Sequence, residues 1–302
     1  MSFEVIIPFL KPIEDLLASK TISEIMVNPD GTVWMEQGGQ IQQLPEIRFD
    51  DGALQTGLEV IANRFGKKLD ADSPILNLRL PDGSRMAAMI PPVVNPLPLM
   101  TIRKFTSRNF TITDLIRIEM LTEEQAVMLT EAVREGQNIL IAGGTGSGKS
   151  TLLGTLADAI PENERILLIE DTAELHIRKP HIVSTESQLD THRSNVTFDD
   201  LLKAVLRHRP DRIIVGEVRG PEARTLLDAM NTGHRGTLAT IHASSADESI
   251  RRLASLAIRG SSNLQLSVAE EEVLRCIHLV VYISRQHGNR RVKDVIRVQQ
   301  PA

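Results

Sequence analysis

From Leu121 onward, short unbroken apolar runs alternate with stretches whose apolar residues recur every three to four positions. Asn138–Ala142, Ile166–Glu170 and Arg212–Val215 are the runs, and such continuous apolarity marks strands buried on both faces. Between the last two, Phe198, Leu201, Leu202, Val205 and Leu206 keep helical spacing behind a Thr197–Asp200 capping pair. Thr122-Glu-Glu-Gln125 is a capping box that opens a helix predicted to run to about Glu135. Strand and helix in alternation predict a parallel sheet covered by helices on both sides.

The first hundred residues follow a different rhythm. Glu24–Val27 and Thr32–Glu36 flank Asn28-Pro29-Asp30-Gly31, where Pro presets φ and Gly closes the bend. Ile75–Leu80 and Arg85–Ile90 flank a second Pro-Asp-Gly at Pro81–Gly83. Two hairpins are therefore predicted, separated by a helix around Leu54–Phe65 with Leu54, Leu58 and Ile61 on one face. The four prolines of Pro91–Pro98 exclude a helix interior or a central strand there. The predicted organisation is an α+β domain over 1–105, a linker over 106–120 and an α/β domain over 121–302.

Composition narrows the function. The 302 residues, 41% hydrophobic and 24% charged, suit two globular domains and exclude wholesale disorder. No apolar run approaches the ~20 residues that span a bilayer. The N-terminus carries Glu4 and no basic flank, so it does not read as a signal peptide. Cys276, the single cysteine, leaves no intramolecular disulfide and no cysteine zinc cage, which suits a reducing cytoplasm. The 34 basic and 39 acidic residues give a net charge of −5, and the excess of acid holds on both sides of Phe105. That balance, with 3% aromatics, argues against a sequence-independent grip on nucleic acid.

Gly143-Gly144-Thr145-Gly146-Ser147-Gly148-Lys149-Ser150 matches the phosphate-binding loop pattern, directly after a strand and before a helix. The glycines let backbone N–H groups turn inward around phosphates, and the helix N-terminus adds its positive end. In that pattern the lysine, here Lys149, reaches the β- and γ-phosphates, and the hydroxyl, here Ser150, ligates Mg²⁺. A chance glycine-rich turn is the plain alternative, and the strand–loop–helix context disfavours it.

Further carboxylates stand at strand ends, where α/β proteins bind ligands. Glu170 and Asp171 close the Ile166 run, and Glu217 follows Arg212-Ile-Ile-Val-Gly216. Motor ATPases hold an Asp for Mg²⁺ at the place of Gly216, so the metal here must draw on Ser150, water and Glu170 or Asp171. The plainer readings are a strand-end carboxylate for Glu217 and a capping or solvated role for the pair. His242 ends another apolar run and is expected at the same sheet edge, whereas His234 reads equally well as structural. No paired His/Cys spacing suggests a zinc site.

These blocks resemble, in order, the secretion ATPases of type II and type IV systems: a phosphate loop through Thr151, an acidic box at Ile169–Leu175, an atypical acid strand at Ile213–Arg219 and a histidine box at Gly233–His242. Glu24–Gly31, Asp82–Arg85 and Thr101–Phe105 extend the resemblance into the first domain, most closely to the TrbB-type conjugal transfer ATPases, with the tight-adherence pilus ATPases next. The resemblance implies a RecA-like ATPase domain preceded by a smaller α+β domain, ATP and Mg²⁺ as ligands, and a homo-hexameric ring. It implies catalytic roles for Lys149, Glu217, Glu170 and His242, with Arg85 and Arg103 reaching the phosphates. It places the ring in the cytoplasm, peripheral at the inner face of the membrane, with secretion or pilus proteins as partners and no direct nucleic acid.

Three other classes share parts of this pattern. A nucleic-acid translocase or helicase needs basic and aromatic strand-binding loops. The one basic cluster, Arg285, Arg290, Arg291, Lys293 and Arg297, reads as the solvated face of a hairpin around Gly288-Asn289, with partner or anionic-lipid contact second. A small-molecule kinase needs an arginine-rich lid and has no use for Glu217. A nucleotide sensor without turnover is separated from a motor by steady-state hydrolysis.

Overall fold

The computed structural model describes residues 6–49, 52–104, 110–171, 173–175, 177–191, 194–261, 264–286 and 289–299, with side chains for all of these except 188–191, 194 and 195. The chain divides into two compact units, Met1–Arg108 and Asn109–Ala302.

In the first unit, α1 (Glu14–Ala18), β1 (Ile22–Val27), β2 (Thr32–Gln37), β3 (Gln40–Arg48), α2 (Ala53–Arg64), β4 (Ile75–Arg79), β5 (Arg85–Met89) and β6 (Leu99–Arg103) follow one another. The six strands form one antiparallel sheet in the order β3-β2-β1-β6-β5-β4. Both Pro-Asp-Gly turns are present and built alike. Asp30 Oδ1 accepts from Thr32 N at 3.0 Å, and Asp82 Oδ1 accepts from Ser84 N at 3.0 Å. A side chain on Gly31 (φ +79°) would sit 2.4 Å from the Phe49 carbonyl. Leu54, Leu58 and Ile61 of α2 are buried against Ile25, Val27, Met86 and Met100 on one sheet face. The structure adds β3 and β6 to the two predicted hairpins, and β6 joins them through Val27↔Met100 and Met86↔Ile102.

The second unit holds α3 (Ile112–Arg117), α4 (Glu123–Arg134), β7 (Ile139–Gly143), α5 (Lys149–Ala157), β8 (Ile166–Glu170), β9 (Ile182–Glu186), β10 (Gln188–Thr191), β11 (Ser194–Val196), α6 (Phe198–Val205), β12 (Arg212–Val218), α7 (Glu222–Asn231), β13 (Leu238–Ile241), α8 (Ala246–Arg259), α9 (Leu266–Cys276), β14 (Leu279–Gln286) and β15 (Asn289–Arg297). Its main sheet runs β15-β14-β7-β13-β12-β8-β9, parallel from β14 to β9 with β15 as an antiparallel edge. Residues of β7 alternate between two cores. Leu140 and Ala142 pack with α6 to α9, and Ile139 and Ile141 with α3 to α5. This sheet with helices on both faces follows from the buried runs seen in the sequence. Both predicted capping pairs close, with Gln125 N donating to Thr122 Oγ1 and Asp200 N to Thr197 Oγ1, each at 3.1 Å.

The segment read as a linker differs. Positions 105–109 lie outside the described residues, but from Thr111 the chain forms a capped helix whose Leu115 is fully buried in the second unit's core. Residues 110–120 therefore belong to the body of that unit. Cys276 is buried, and burial pushes its thiol up to about 11, which leaves it unreactive at neutral pH. Among the described residues no helix is long and apolar enough to cross a membrane.

Candidate functional site: a phosphate loop facing a strand-end acid

The site is built where β7, β13, β12 and β8 end together. β7 stops at Gly143, and the loop turns into α5 at Lys149 through two glycines with positive φ, Gly146 (+67°) and Gly148 (+100°). A side chain on Gly143 would sit 2.4 Å from the Ile283 carbonyl, so the loop must begin with glycine. Lys149 is only 7% exposed, and its Nζ donates to the carbonyls of Gly143 (3.0 Å) and Gly144 (2.9 Å). Burial depresses its pKa. Ser147 Oγ is buried with no hydrogen-bond partner among the described residues. An orphaned hydroxyl and a buried ammonium inside a glycine cradle are what a bound phosphate would satisfy. Thr145, Ser150 and Thr151 complete the segment, the last two in the first turn of α5.

β13 lies between the loop strand β7 and the acid strand β12, so its end bridges them. His242, one residue past β13, places Nδ1 3.4 Å from Lys149 Nζ and Nε2 2.8 Å from Glu217 Oε1. Burial and then the Lys149 charge lower the imidazole pKa, so the ring is neutral at neutral pH. A neutral ring carries one donor and one acceptor nitrogen, which suits a position between an ammonium and a carboxylate. Glu217 Oε2 accepts from Arg219 Nη2 at 2.6 Å, and Arg219 Nη1 lies 3.2 Å from Asp171 Oδ2. The Glu217 carboxylate, foremost, raises the Arg219 pKa.

The structure thus brings together Lys149, His242, Glu217 and Asp171. Arg219, to which the sequence analysis assigns no role, ties the acid strand to the acidic box. Its signal is its position two residues beyond Glu217, just past the end of β12. Of the acidic box, Thr172 lies outside the described residues, and Asp171 also accepts from Ser187 Oγ at 3.3 Å. Glu170 is 3% exposed and accepts from the N–H groups of Glu174 and Leu175, each at 2.9 Å. His234 stands at the other end of β13, where its Nδ1 lies 3.2 Å from the Ala229 carbonyl at the close of α7, a structural role. Arg85 and Arg103 face each other across β5 and β6 in the first unit, and Arg103 pairs with Glu24 at 3.7 Å. In the basic terminal hairpin, where Gly288 lies outside the described residues, Arg285 and Arg290 are exposed, as read from the sequence, and lie beside the loop glycines.

The glycine at 216 has a physical reason. A Cβ there would lie 3.0 Å from Glu170 Cγ and 3.4 Å from the Ile169 carbonyl, so Glu170 fills the space an Asp would take. Between Val215 and Val218, β12 gains one residue relative to β13, and Thr240 Oγ1 donates to the Gly216 carbonyl at 2.6 Å to hold this bulge. Gly216→Asp is therefore expected to cost about 1–3 kcal/mol by overpacking, read as a lowered urea midpoint. An unchanged midpoint would show that Glu170 does not fill that space.

Mg²⁺ has candidate holders in Ser150, Glu170 and Asp171, although Asp171 is already engaged by Arg219. Among the described residues no three His, Cys, Asp or Glu side chains gather to hold a metal by themselves. Phosphate loops in general take Mg²⁺ with oxygens of the bound nucleotide completing its shell.

Comparison with known proteins places the site in context. A family profile described as "Type II/IV secretion system protein" matches residues 9–295. The probable conjugal transfer protein TrbB of Sinorhizobium fredii is 37% identical over 289 residues, covering 94% of this chain and 85% of that one. The type IV secretion system protein VirB11 of Bartonella quintana is 31% identical over 330 residues, covering 96% and 92%. Among solved structures, the VirB11 ATPase of the Brucella suis type IV secretion system, crystallised with sulphate, aligns at 25% identity and a TM-score of 0.54 over 97% of both chains. The Legionella pneumophila ATPase DotB shares the fold at 21% identity and a TM-score of 0.70, over 97% of this chain and 81% of that one. With its profile match spanning both units, this chain belongs to the family of type II/IV secretion system proteins.

Proposed function

We propose that this chain is the ATP-hydrolysing subunit of a homo-hexameric ring that powers a secretion, conjugation or pilus-assembly machine, with the second unit as a RecA-like ATPase domain. The observation that carries the reading is the unbroken line from the phosphate loop to the strand-end acid: Lys149, His242, Glu217 and Arg219.

In this reading Lys149 leaves the Gly143 and Gly144 carbonyls for the β- and γ-phosphate oxygens, and the loop N–H groups take the rest. Mg²⁺, held by Ser150 and through water by Glu170, would neutralise charge on the β- and γ-phosphates. Glu217 orients the attacking water and takes its proton as the bond to the γ-phosphorus forms and the bridging oxygen leaves with ADP. Arg219 donates to one Glu217 oxygen and His242 lies against the other, so the two hold the carboxylate in place. Arg85 and Arg103 stabilise the transferred charge, as the family resemblance implies. Loss of the γ-phosphate then releases Lys149, His242 and the arginines, the step through which hydrolysis would drive a conformational change. The ring would work in the cytoplasm at the inner face of the membrane, on membrane-associated partners and without direct contact to nucleic acid.

The test is complementation between subunits. Arg103→Ala and Lys149→Ala chains are each expected to hydrolyse ATP poorly, and mixed rings to exceed both. An Arg103 serving a neighbour's site allows that recovery, because some interfaces keep both groups. Mixtures no better than the average of their parents would contradict a site shared around a ring.

A further inference from the structure

The basic terminal hairpin reads from sequence as a solvated face, and its basic residues are exposed, but two of them also run beside the phosphate loop. β14 runs parallel to β7 as far as Ile283↔Gly143, so its next residues continue alongside the loop. Two positions on, Arg285 places Nη1 3.4 Å from where a side chain would begin on Gly146. Arg290, its register partner on β15, places Cδ 3.4 Å from the corresponding point on Gly148. Both points belong to the two loop glycines with positive φ.

The hairpin is held there by contacts that have nothing to do with these two side chains. Val292 N donates to the Met120 carbonyl at 2.9 Å, Val292 is buried in the core, and Arg291 forms an ion pair with Glu119. Met120 itself lies against Gly148. The turn between α3 and α4 therefore clamps the hairpin, and the hairpin brings two guanidinium groups to the loop.

Sheet order decides which part of a nucleotide they meet. β13 and β12, which carry His242 and Glu217, lie on one side of β7, and β14 and β15 lie on the other. Lys149 and the acid strand take the γ-phosphate side, so the hairpin flanks the opposite side of the loop. Two cations side by side on a ladder form a place that suits a diphosphate. Arg is suited to it, because its planar fork matches phosphate oxygens in pairs.

We propose that Arg285 and Arg290 are nucleotide-binding residues of the same chain, holding phosphate oxygens common to ADP and ATP on the side of the loop away from Glu217. The inference rests on the loop being a nucleotide site, as argued above. It adds a contact from the C-terminal hairpin that the loop motif does not contain.

The test separates binding from chemistry. Arg285→Gln and Arg290→Gln are each expected to raise the Kd for Mg·ADP and the KM for ATP about tenfold, as loss of one charge-assisted contact does, with kcat within about twofold of the parent. The double variant should weaken both further, and Arg285→Lys, which keeps charge but not the fork, should fall between. Arg297→Gln, at the far end of the same strand, should change neither. Thermal midpoints equal to the parent's would exclude unfolding as the cause, and a variant that unfolds leaves Arg285→Lys and the other single variant to decide. Unchanged Kd and KM in both single variants would overturn the proposal, as would a loss confined to kcat. Lys149→Ala separates the two levels: if that chain binds Mg·ADP like the parent, the nucleotide reading itself fails, and if only the hairpin variants behave like the parent, this inference alone does.

Discussion

Lys149→Ala should abolish ATP turnover and weaken nucleotide binding without destabilising the empty protein. Lys149 is buried with its pKa depressed, so its charge is held in the folded state at a cost. A group with a lowered folded pKa of this kind opposes folding while it is charged, and alanine removes that penalty. Among the described residues its hydrogen-bond partners are two loop carbonyls and His242, all of them at the site. With nucleotide bound, the same ammonium supplies a charge-assisted contact of about 1.5–3 kcal/mol, or roughly 10- to 150-fold in affinity. A donor aimed at developing charge adds about 10²–10³ in rate. Calorimetric binding, steady-state phosphate release and a thermal melt of the empty chain check the three parts together. A melt that drops by many degrees would mean that the lysine is structural.

Glu217→Gln should do something different. The side chain keeps its size and its place beside His242 and Arg219, but it no longer accepts a proton from water. Turnover is expected to fall about 10²–10⁴-fold, the range for losing a positioned base, while Mg·ATP affinity stays within a few-fold. Arg219 loses its charged partner on one side yet keeps Asp171, so the fold should hold. Near-parent turnover would move the base role to Glu170, whose carboxylate stands at the end of the adjoining strand β8.

Much of this is legible in the sequence because the chemistry is written locally. The phosphate loop is one contiguous segment, and ligands meet the carboxyl ends of parallel strands, a rule that by itself gathers Glu217, His242 and Asp171 at one edge. What stays hidden depends on tertiary neighbours. The reason for Gly216 is a side chain on another strand, and nothing within Arg212–Val218 announces it. Arg219 sits in plain view, but its bridge to Asp171 spans two strands that are distant in sequence.

Among the elements, β3 escapes the pattern because its glutamines give no alternation and Pro45 interrupts it, the mark of an edge strand that needs no buried face. The helix at Ile112–Arg117 has a signal, the Thr111–Asp114 capping box, which outweighs the linker-like look of that stretch. The terminal hairpin is visible along the chain from its turn residues. Its basic residues are solvated as the pattern suggests, and what the pattern hides is the β14–β7 register that brings Arg285 and Arg290 beside the loop.

The central claim is that the loop and the strand-end acid together hydrolyse ATP. It is tested most directly by phosphate release from the full chain and from Glu217→Gln, side by side, at saturating Mg·ATP and with bound nucleotide measured in the same samples. The account predicts steady release from the parent and occupancy without release from the variant. Equal release from both, or no release from the parent despite full occupancy, would contradict it.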